Sequence, residues 1–126
     1  MFEKIVDSNK KITTIAVAWE ADYNELMGVL KNFFDDNNTE HLLLDFRNCS
    51  FETMTHDHIR NLCEYASFRA DRDSKLNGKT ALLSSNELQF EIGRIFKTYS
   101  EMIGSAITVS LFLSMEKALS WLKKNW

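Results

Sequence analysis

The chain has 126 residues, 44% of them hydrophobic, which is the size and composition of one folded domain spanning residues 1–126. Its formal net charge of −3, from 15 basic and 18 acidic residues, gives no sign of the clustered basic face that nucleic-acid binding requires. Two cysteines are too few for a disulfide scaffold, and no apolar run approaches the roughly 18–20 residues that cross a bilayer, so we expect a cytoplasmic protein without a signal peptide or transmembrane segment.

The first elements predicted along the chain are a hairpin and a helix. Phe2–Val6 and Ile12–Ala18 are β-type runs separated by a short polar turn, a spacing that favours antiparallel pairing. Asp22 then opens a helix, with Glu25 three residues on in a capping-box arrangement. An apolar stripe at helical spacing continues this helix until the polar residues 35–39 stop it.

The middle of the chain predicts a buried strand followed by a second helix. His41–Phe46 is a short, nearly continuous apolar run, as expected of a strand that is covered on both faces. The helix runs over about Met54–Asp71, and we interpret Thr53 and Thr55 as its N-caps because their hydroxyl oxygens accept hydrogen bonds from free N–H groups. Asn77-Gly78 then turns the chain into the next strand.

The last part of the chain predicts two further strand–helix units. Lys79–Leu83 is a second buried strand, and Ser84 with Glu87 forms the capping box of a third helix. Ala106–Phe112 is the last strand, and Ser114 caps a final helix. The apolar stripe of the third helix comprises Leu88, Ile92, Phe96, Tyr99 and Ile103.

The complete order is therefore β-β-α-β-α-β-α-β-α. Strands that alternate with helices predict an α/β fold, with a five-stranded, mostly parallel mixed sheet and right-handed crossovers. The opening hairpin adds the antiparallel strand.

Three stretches carry a resemblance to a known family. They are, in chain order, the opening hairpin with Ala21-Asp22-Tyr23; Gly78–Leu83 followed by Phe90, Gly93-Arg94 and Phe96; and Phe112 followed by Glu116–Leu122. Together with the element order, they resemble the STAS fold of anti-sigma-factor antagonists, and more closely its SpoIIAA-like branch, also described as STAS/SEC14-like. The resemblance covers nearly the whole chain and implies a bacterial, non-enzymatic regulatory or ligand-binding module.

One turn departs from the family pattern. STAS antagonists carry an Asp-Ser-Ser-Gly turn at the start of the second helix, where a partner kinase phosphorylates a serine. That turn falls on Thr53-Met54-Thr55-His56 here, so the acid and both serines are missing and only Thr55 keeps a hydroxyl in register. The resemblance therefore implies that the standard phosphoserine switch is absent. It also implies lipid or small-ligand binding, which the SEC14-like fold suggests.

Candidate binding residues follow the parallel strands, because ligands in open α/β sheets bind at the carboxyl ends of strands. Phe90 and Arg94 lie off the inward stripe of the third helix, where Phe90 is either an anchor for a dimer or membrane surface or a residue packed under a loop. Trp121 and Trp126 are equally ambiguous, and ordinary turn chemistry explains the polar residues as well. The candidates for ligand or partner binding are Arg47, Asn48, Ser50, Thr53, Thr55, Ser84, Ser85, Asn86, Phe90 and Arg94.

No metal site, cofactor or catalytic group is expected. His56 and His58 are two residues apart on a predicted helix and point to different faces, so they do not chelate one ion. Cys49 near His56 has no third orienting group, which makes a nucleophile–base pair a poor interpretation. Cys63 lies on the inward stripe of its helix and is expected in the core.

Our leading hypothesis is a module that binds a protein partner or a small amphiphilic ligand, and a homodimer is left open. The alternative is a peripheral lipid-binding or membrane-surface module like the SEC14 domains, and a small hydrolase ranks last. An apolar cavity above roughly 300 Å³ behind the third helix would favour the lipid hypothesis. A filled core with an exposed patch would favour a protein partner.

Overall fold

The computed structural model describes residues 2–36, 39–73 and 78–124. Its nine elements follow the predicted order, so the α/β interpretation is confirmed. Asn77 of the predicted turn and Trp126 lie outside the described residues. The elements are β1 (Phe2–Asp7), β2 (Ile12–Glu20), α1 (Tyr23–Asp36), β3 (His41–Ser50), α2 (His56–Arg72), β4 (Lys79–Leu83), α3 (Glu87–Met102), β5 (Thr108–Phe112) and α4 (Met115–Lys123).

The five strands form one mixed sheet in the order β1-β2-β3-β4-β5. β1 is antiparallel to β2, as the hairpin predicted, and the other three pairings are parallel. The ends of β2, β3, β4 and β5 therefore meet at one edge of the sheet. We call this edge, with the turns that follow each strand, the carboxyl edge.

Helices cover both faces of the sheet. Leu42, Leu44 and Phe46 of β3 belong to a core shared with α1, α2 and α3. Leu43, between them, belongs to a smaller core with Ala118 and Leu122 of α4. Because neighbouring strand residues point to opposite faces, the continuous apolar run in β3 is the consequence of burial on both sides.

Three strands end later than predicted: β1 at Asp7, β2 at Glu20 and β3 at Ser50. β3 was expected to end at Phe46, but it continues to Ser50 because its last residues pair with an extended β2, through Ala18 with Asn48 and Glu20 with Ser50. On its other side, β3 loses its partner β4 after Asp45. The extension of β3 is therefore paired along one side only, and its polar residues are those of an exposed strand end.

Helix caps follow the predicted chemistry with one shift in position. Asp22 Oδ1 accepts from Glu25 N at 2.7 Å, and Ser114 Oγ accepts from Lys117 N at 3.3 Å, as expected. The cap predicted at Ser84 is wrong, because Asn86 is the N-cap of α3 and its Oδ1 accepts from Gln89 N at 2.9 Å. Ser84 is instead buried, and its N–H donates to the Phe112 carbonyl at 3.0 Å.

The predicted apolar stripe of α3 is only partly correct. Ile92 and Phe96 pack against the core, but Leu88 and Ile103 are exposed. The buried positions of this helix are Gln89, Gly93 and Ser100. A Cβ added at Gly93 would stand 3.1 Å from Leu111 Cδ2, so a small residue is what lets α3 lie close to the sheet here.

Candidate functional site

Two groups of predicted site residues meet at the carboxyl edge. Arg47, Asn48 and Ser50 lie in the extension of β3, and Ser85 follows β4. Ser85 Oγ donates to the Arg47 carbonyl at 3.1 Å. The buried Gln89 side chain ties the same segment to α3, since its Nε2 donates to the Cys49 carbonyl at 3.0 Å. The turn after β4 is thus joined to the free side of β3.

Arg47 is held in place by Asp45, two residues earlier. Asp45 is buried and accepts two hydrogen bonds from the guanidinium, from Nε at 3.0 Å and from Nη2 at 2.9 Å. The hydrogen bond with this carboxylate raises the pKa of Arg47 above its ordinary value. About two fifths of the Arg47 side chain stays exposed, so the edge carries a fixed cation, and Asn48 and Asp45 line a shallow hollow beside it.

The remaining polar candidates of the edge serve mainly the fold. The Ser50 carbonyl accepts from Ala21 N at 2.7 Å, which joins the end of β3 to the start of α1. Ser84 is buried and does not face solvent, unlike its neighbour Ser85. The Asn86 side chain is used as the N-cap of α3. The exposed Ser85 hydroxyl is also hydrogen-bonded within the fold.

Thr55 begins α2 as its N-cap, which confirms that prediction. Its Oγ1 accepts from His58 N at 3.1 Å, and the Thr55 N–H donates to His58 Nδ1 at 3.2 Å, so the two residues form a reciprocal capping box. Thr53 does not cap the helix, and that part of the prediction is wrong. The His58 ring stacks on Tyr23 with centroids 4.8 Å apart, which ties the start of α2 to the start of α1.

The two histidines of α2 have different surroundings. His56 contacts Tyr99 of α3, with ring centroids 6.4 Å apart, whereas His58 contacts Tyr23. The ranges 2–36, 39–73 and 78–124 contain no group of three side chains that could hold a metal ion. That metal has no structural role in this protein therefore stays a prediction.

An open groove lies between α3 and the turn that joins β5 to α4. Its volume is about 520 Å³. Phe90, half-buried, lies on the α3 side, and Leu113, 65% exposed, lies on the turn. Arg94 stands one turn further along α3, exposed and paired with Glu91 at 2.9 Å. The residues that line what we call the α3 groove are Ser85, Asn86, Glu87, Phe90, Glu91 and Leu113.

Trp19 is a feature of the edge that the sequence analysis missed. It is 74% exposed, and its backbone has φ of 68°, a value that side-chain-bearing residues rarely adopt. It follows a register irregularity in β2 between Ala16 and Ala18. The sequence showed only that a Trp directly follows the predicted strand end at Ala18. A residue type alone does not indicate exposure or a positive φ.

Both cysteine thiols are buried. Cys49 Sγ donates to the Phe46 carbonyl at 3.2 Å, and burial, with a smaller effect of Asp45, raises its pKa to about 12. Burial likewise raises the pKa of Cys63 to about 12. Since the thiolate is the nucleophilic form, neither residue is available as a nucleophile near neutral pH.

A small apolar cavity lies behind α3. Its volume is about 50 Å³, and residues of α2, α3 and the sheet line it, among them Leu62, Phe96 and Val109. Trp121, which the sequence left ambiguous, is half-buried and packs on Phe112 with ring centroids 5.5 Å apart. Within the described ranges, no helix is both long enough and apolar enough to span a membrane.

Comparison with solved structures identifies the fold. One similar structure is that of the anti-sigma factor antagonist SpoIIAA in its unphosphorylated form, with a TM-score of 0.60 and 12% identity over 99% of this chain and all of that one. Another is the Bacillus cell fate determinant SpoIIAA in its phosphorylated form, with a TM-score of 0.54 and 14% identity over 97% of this chain and 99% of that one. The chain therefore has the SpoIIAA-like STAS fold over nearly its whole length. No protein-family model and no curated protein sequence matches it.

Proposed function

We propose that this protein is a non-enzymatic regulatory module that binds a partner protein through the carboxyl edge of its sheet. The fold it shares with SpoIIAA, an anti-sigma factor antagonist by name, supports a regulatory role. The edge carries a fixed cation at Arg47 and exposed apolar side chains at Trp19 and Leu113. Such a mixture of aromatic, aliphatic and Arg side chains is typical of protein interfaces.

Trp19 is the observation that carries this proposal. A non-glycine residue at positive φ costs on the order of 1–3 kcal/mol, and such residues cluster at functional sites. The irregular register before it is the kind of bulge that re-aims a side chain. In the isolated chain most of this large ring stays exposed to solvent. A partner that buried it would gain binding free energy from the contact, and Trp is one of the residue types most enriched at binding hot spots.

The other functional hypotheses have less support. A lipid carrier needs a cavity of several hundred Å³, and the apolar cavity behind α3 measures about 50 Å³. A hydrolase needs an activated nucleophile, and both thiols are protonated and buried. A phosphoserine switch lacks its serines, and the one hydroxyl in register, on Thr55, already caps α2.

The proposal is tested by capturing partners of the tagged full-length chain in its own host. Wild type, Trp19→Ser and the control Phe68→Ser are compared, because Phe68 is a second exposed aromatic side chain, 59% exposed, on α2. We expect a stoichiometric partner protein with wild type and Phe68→Ser, and at least tenfold less of it with Trp19→Ser, the loss expected of a hot spot.

Native mass spectrometry of the captured material separates the hypotheses further. A retained lipid in the mass of the purified chain, with no protein partner, would replace this proposal with the lipid-binding alternative. Equal capture by wild type and Trp19→Ser would show that the partner binds elsewhere. Both exposed substitutions should leave the melting temperature nearly unchanged, which guards against loss through unfolding.

A further inference from the structure

The α3 groove combines apolar and acidic side chains in one open hollow. Phe90 and Leu113 supply apolar surface from two different elements, and Glu87 and Glu91 supply carboxylates from the exposed side of α3. The hollow measures about 520 Å³ and is open to solvent along its length, so it offers a surface to lie across and not an enclosed pocket. An open hollow bounded by two surface elements suits a segment of another protein that lies across it.

The polar groups at the end of the groove are already satisfied within the fold. Ser85 Oγ donates to the Arg47 carbonyl, and Asn86 Oδ1 accepts from Gln89 N. Recognition is therefore left to the apolar pair and the two carboxylates. This distribution does not favour an anionic ligand, since an anion would meet the Glu87 carboxylate, which has no basic partner in the described ranges.

The two carboxylates differ in how far they are neutralised. Glu91 pairs with Arg94 at 2.9 Å, an exposed ion pair that is worth little in water. No basic side chain in the described ranges pairs with Glu87. The groove thus presents one carboxylate, Glu87, that no basic side chain of the described ranges neutralises, in the first turn of α3 where the helix N-terminus offsets part of its charge. The complementary ligand carries positive charge beside an apolar group.

We infer that the α3 groove binds a partner segment in which a large apolar side chain is flanked by Lys or Arg. This inference rests on the proposed function and names the chemistry of the partner. The apolar side chain lies between Phe90 and Leu113, and a flanking cation pairs with Glu87. Attraction between these charges makes binding weaken as ionic strength rises.

The probe is a blocked peptide with one Leu between two Lys residues, set in Gly and Ser, and a matched peptide with Glu in place of each Lys. Amide chemical shifts of the full-length, ¹⁵N-labelled chain locate the binding of each peptide. We expect saturable shifts at residues 85–91 and 113 with the Lys peptide at millimolar concentration, and none with the Glu peptide.

Matched variants separate the groove from general charge and stickiness. Glu87→Lys should weaken the Lys peptide about fivefold or more at low salt, whereas Glu101→Lys makes the same charge change further along the same helix and should have less than a twofold effect. Leu113→Ser should also weaken it at least about fivefold. Met102→Ser, which alters a side chain that is 73% exposed at the other end of α3, should not.

Several results would overturn the inference: no shifts at the groove at about 5 mM peptide, equal shifts with the two peptides, or equal effects of Glu87→Lys and Glu101→Lys. The proposed function fails separately, through partner capture that does not depend on Trp19. If Trp19→Ser abolishes capture while the groove ignores both peptides, the partner-binding function stands and the chemistry inferred for the groove is wrong.

Discussion

At the start of α2, a histidine takes the part that Glu or Gln usually plays in a capping box. The Thr55 hydroxyl accepts from His58 N, and His58 Nδ1 accepts from Thr55 N, so two otherwise free N–H groups of the helix start are satisfied. The imidazole also stacks on Tyr23, which no glutamate would do. At the turn where STAS antagonists carry a phosphorylated serine, this chain therefore has a closed, hydrogen-bonded helix start.

Thr55 is predicted to act as a cap and not as a switch. Thr55→Ala should lower the free energy of unfolding by about 0.5–2 kcal/mol because His58 N loses its acceptor. Thr55→Asp should be nearly neutral, since Asp also caps well and its charge suits the positive helix end. Denaturant unfolding of both variants measures this, with Thr53→Ala, at an exposed threonine that caps nothing, as the control within about 0.5 kcal/mol.

Partner binding decides between the two roles of Thr55. Capping alone predicts that Thr55→Asp captures the partner as well as wild type does. A clean loss of that partner with stability intact would instead establish Thr55 as a site where negative charge repels the partner.

Among the elements, α1 and α2 are joined near their ends by one buried arginine. Arg69 Nη1 lies 2.8 Å from Asp35 Oδ1, and its Nη2 lies 3.1 Å from Asp73 Oδ2. The guanidinium also donates to the Tyr65 hydroxyl at 2.6 Å and stands 5.4 Å from the centre of the Phe34 ring. A planar group with five donors meets all of these partners at once, which a lysine could not do.

Replacing this arginine should loosen the packing of the two helices. Arg69→Met keeps most of the apolar stem but removes the guanidinium from Asp35 and the Tyr65 hydroxyl, and leaves Asp73 with Arg72 alone. We expect a loss of about 1–3 kcal/mol in the free energy of unfolding, because the buried guanidinium makes several charge-assisted hydrogen bonds at once and packs on the Phe34 ring. Arg60→Met is the matched control on the same helix, since its pair with Asp57 is exposed and should contribute less than about 0.5 kcal/mol. Equal losses from the two variants would refute the structural role of Arg69.

For the whole molecule, the sequence was most informative where a run of apolar residues required burial on both faces of a strand. The continuous apolar runs in β3 and β4 implied cover on both faces, and both cores contain them. The element order and the parallel sheet followed from the alternation of the two hydrophobic periods. These features depend on local pattern, which the sequence carries directly.

The candidate site was harder to predict because it depends on where neighbouring elements stop. Arg47 and Asn48 read as a loop, but they belong to β3, since β2 extends alongside them while β4 ends at Leu83. The buried face of α3 includes Gly93 and Ser100, and a search for large apolar side chains does not find such small residues. The φ of Trp19 is a property of the folded chain alone.

The two cores share one sheet, so damage between them should unfold the whole chain. Ala81 is fully buried in β4, where it contacts the core under α4 and pairs with β3 and β5 on either side. Ala81→Asp places there a carboxylate with no partner. The free-energy cost of burying an unpaired charge is comparable to the whole stability of such a domain, about 5–15 kcal/mol, and protonating the carboxylate instead costs several kcal/mol. We expect Ala81→Asp to lose its native circular dichroism, while Ala81→Ser, of similar size and uncharged, stays folded with a loss of about 1–3 kcal/mol. A soluble Ala81→Asp with unchanged melting would mean that α4 does not seal this face of the sheet, because only access to water would let the carboxylate stay charged in place.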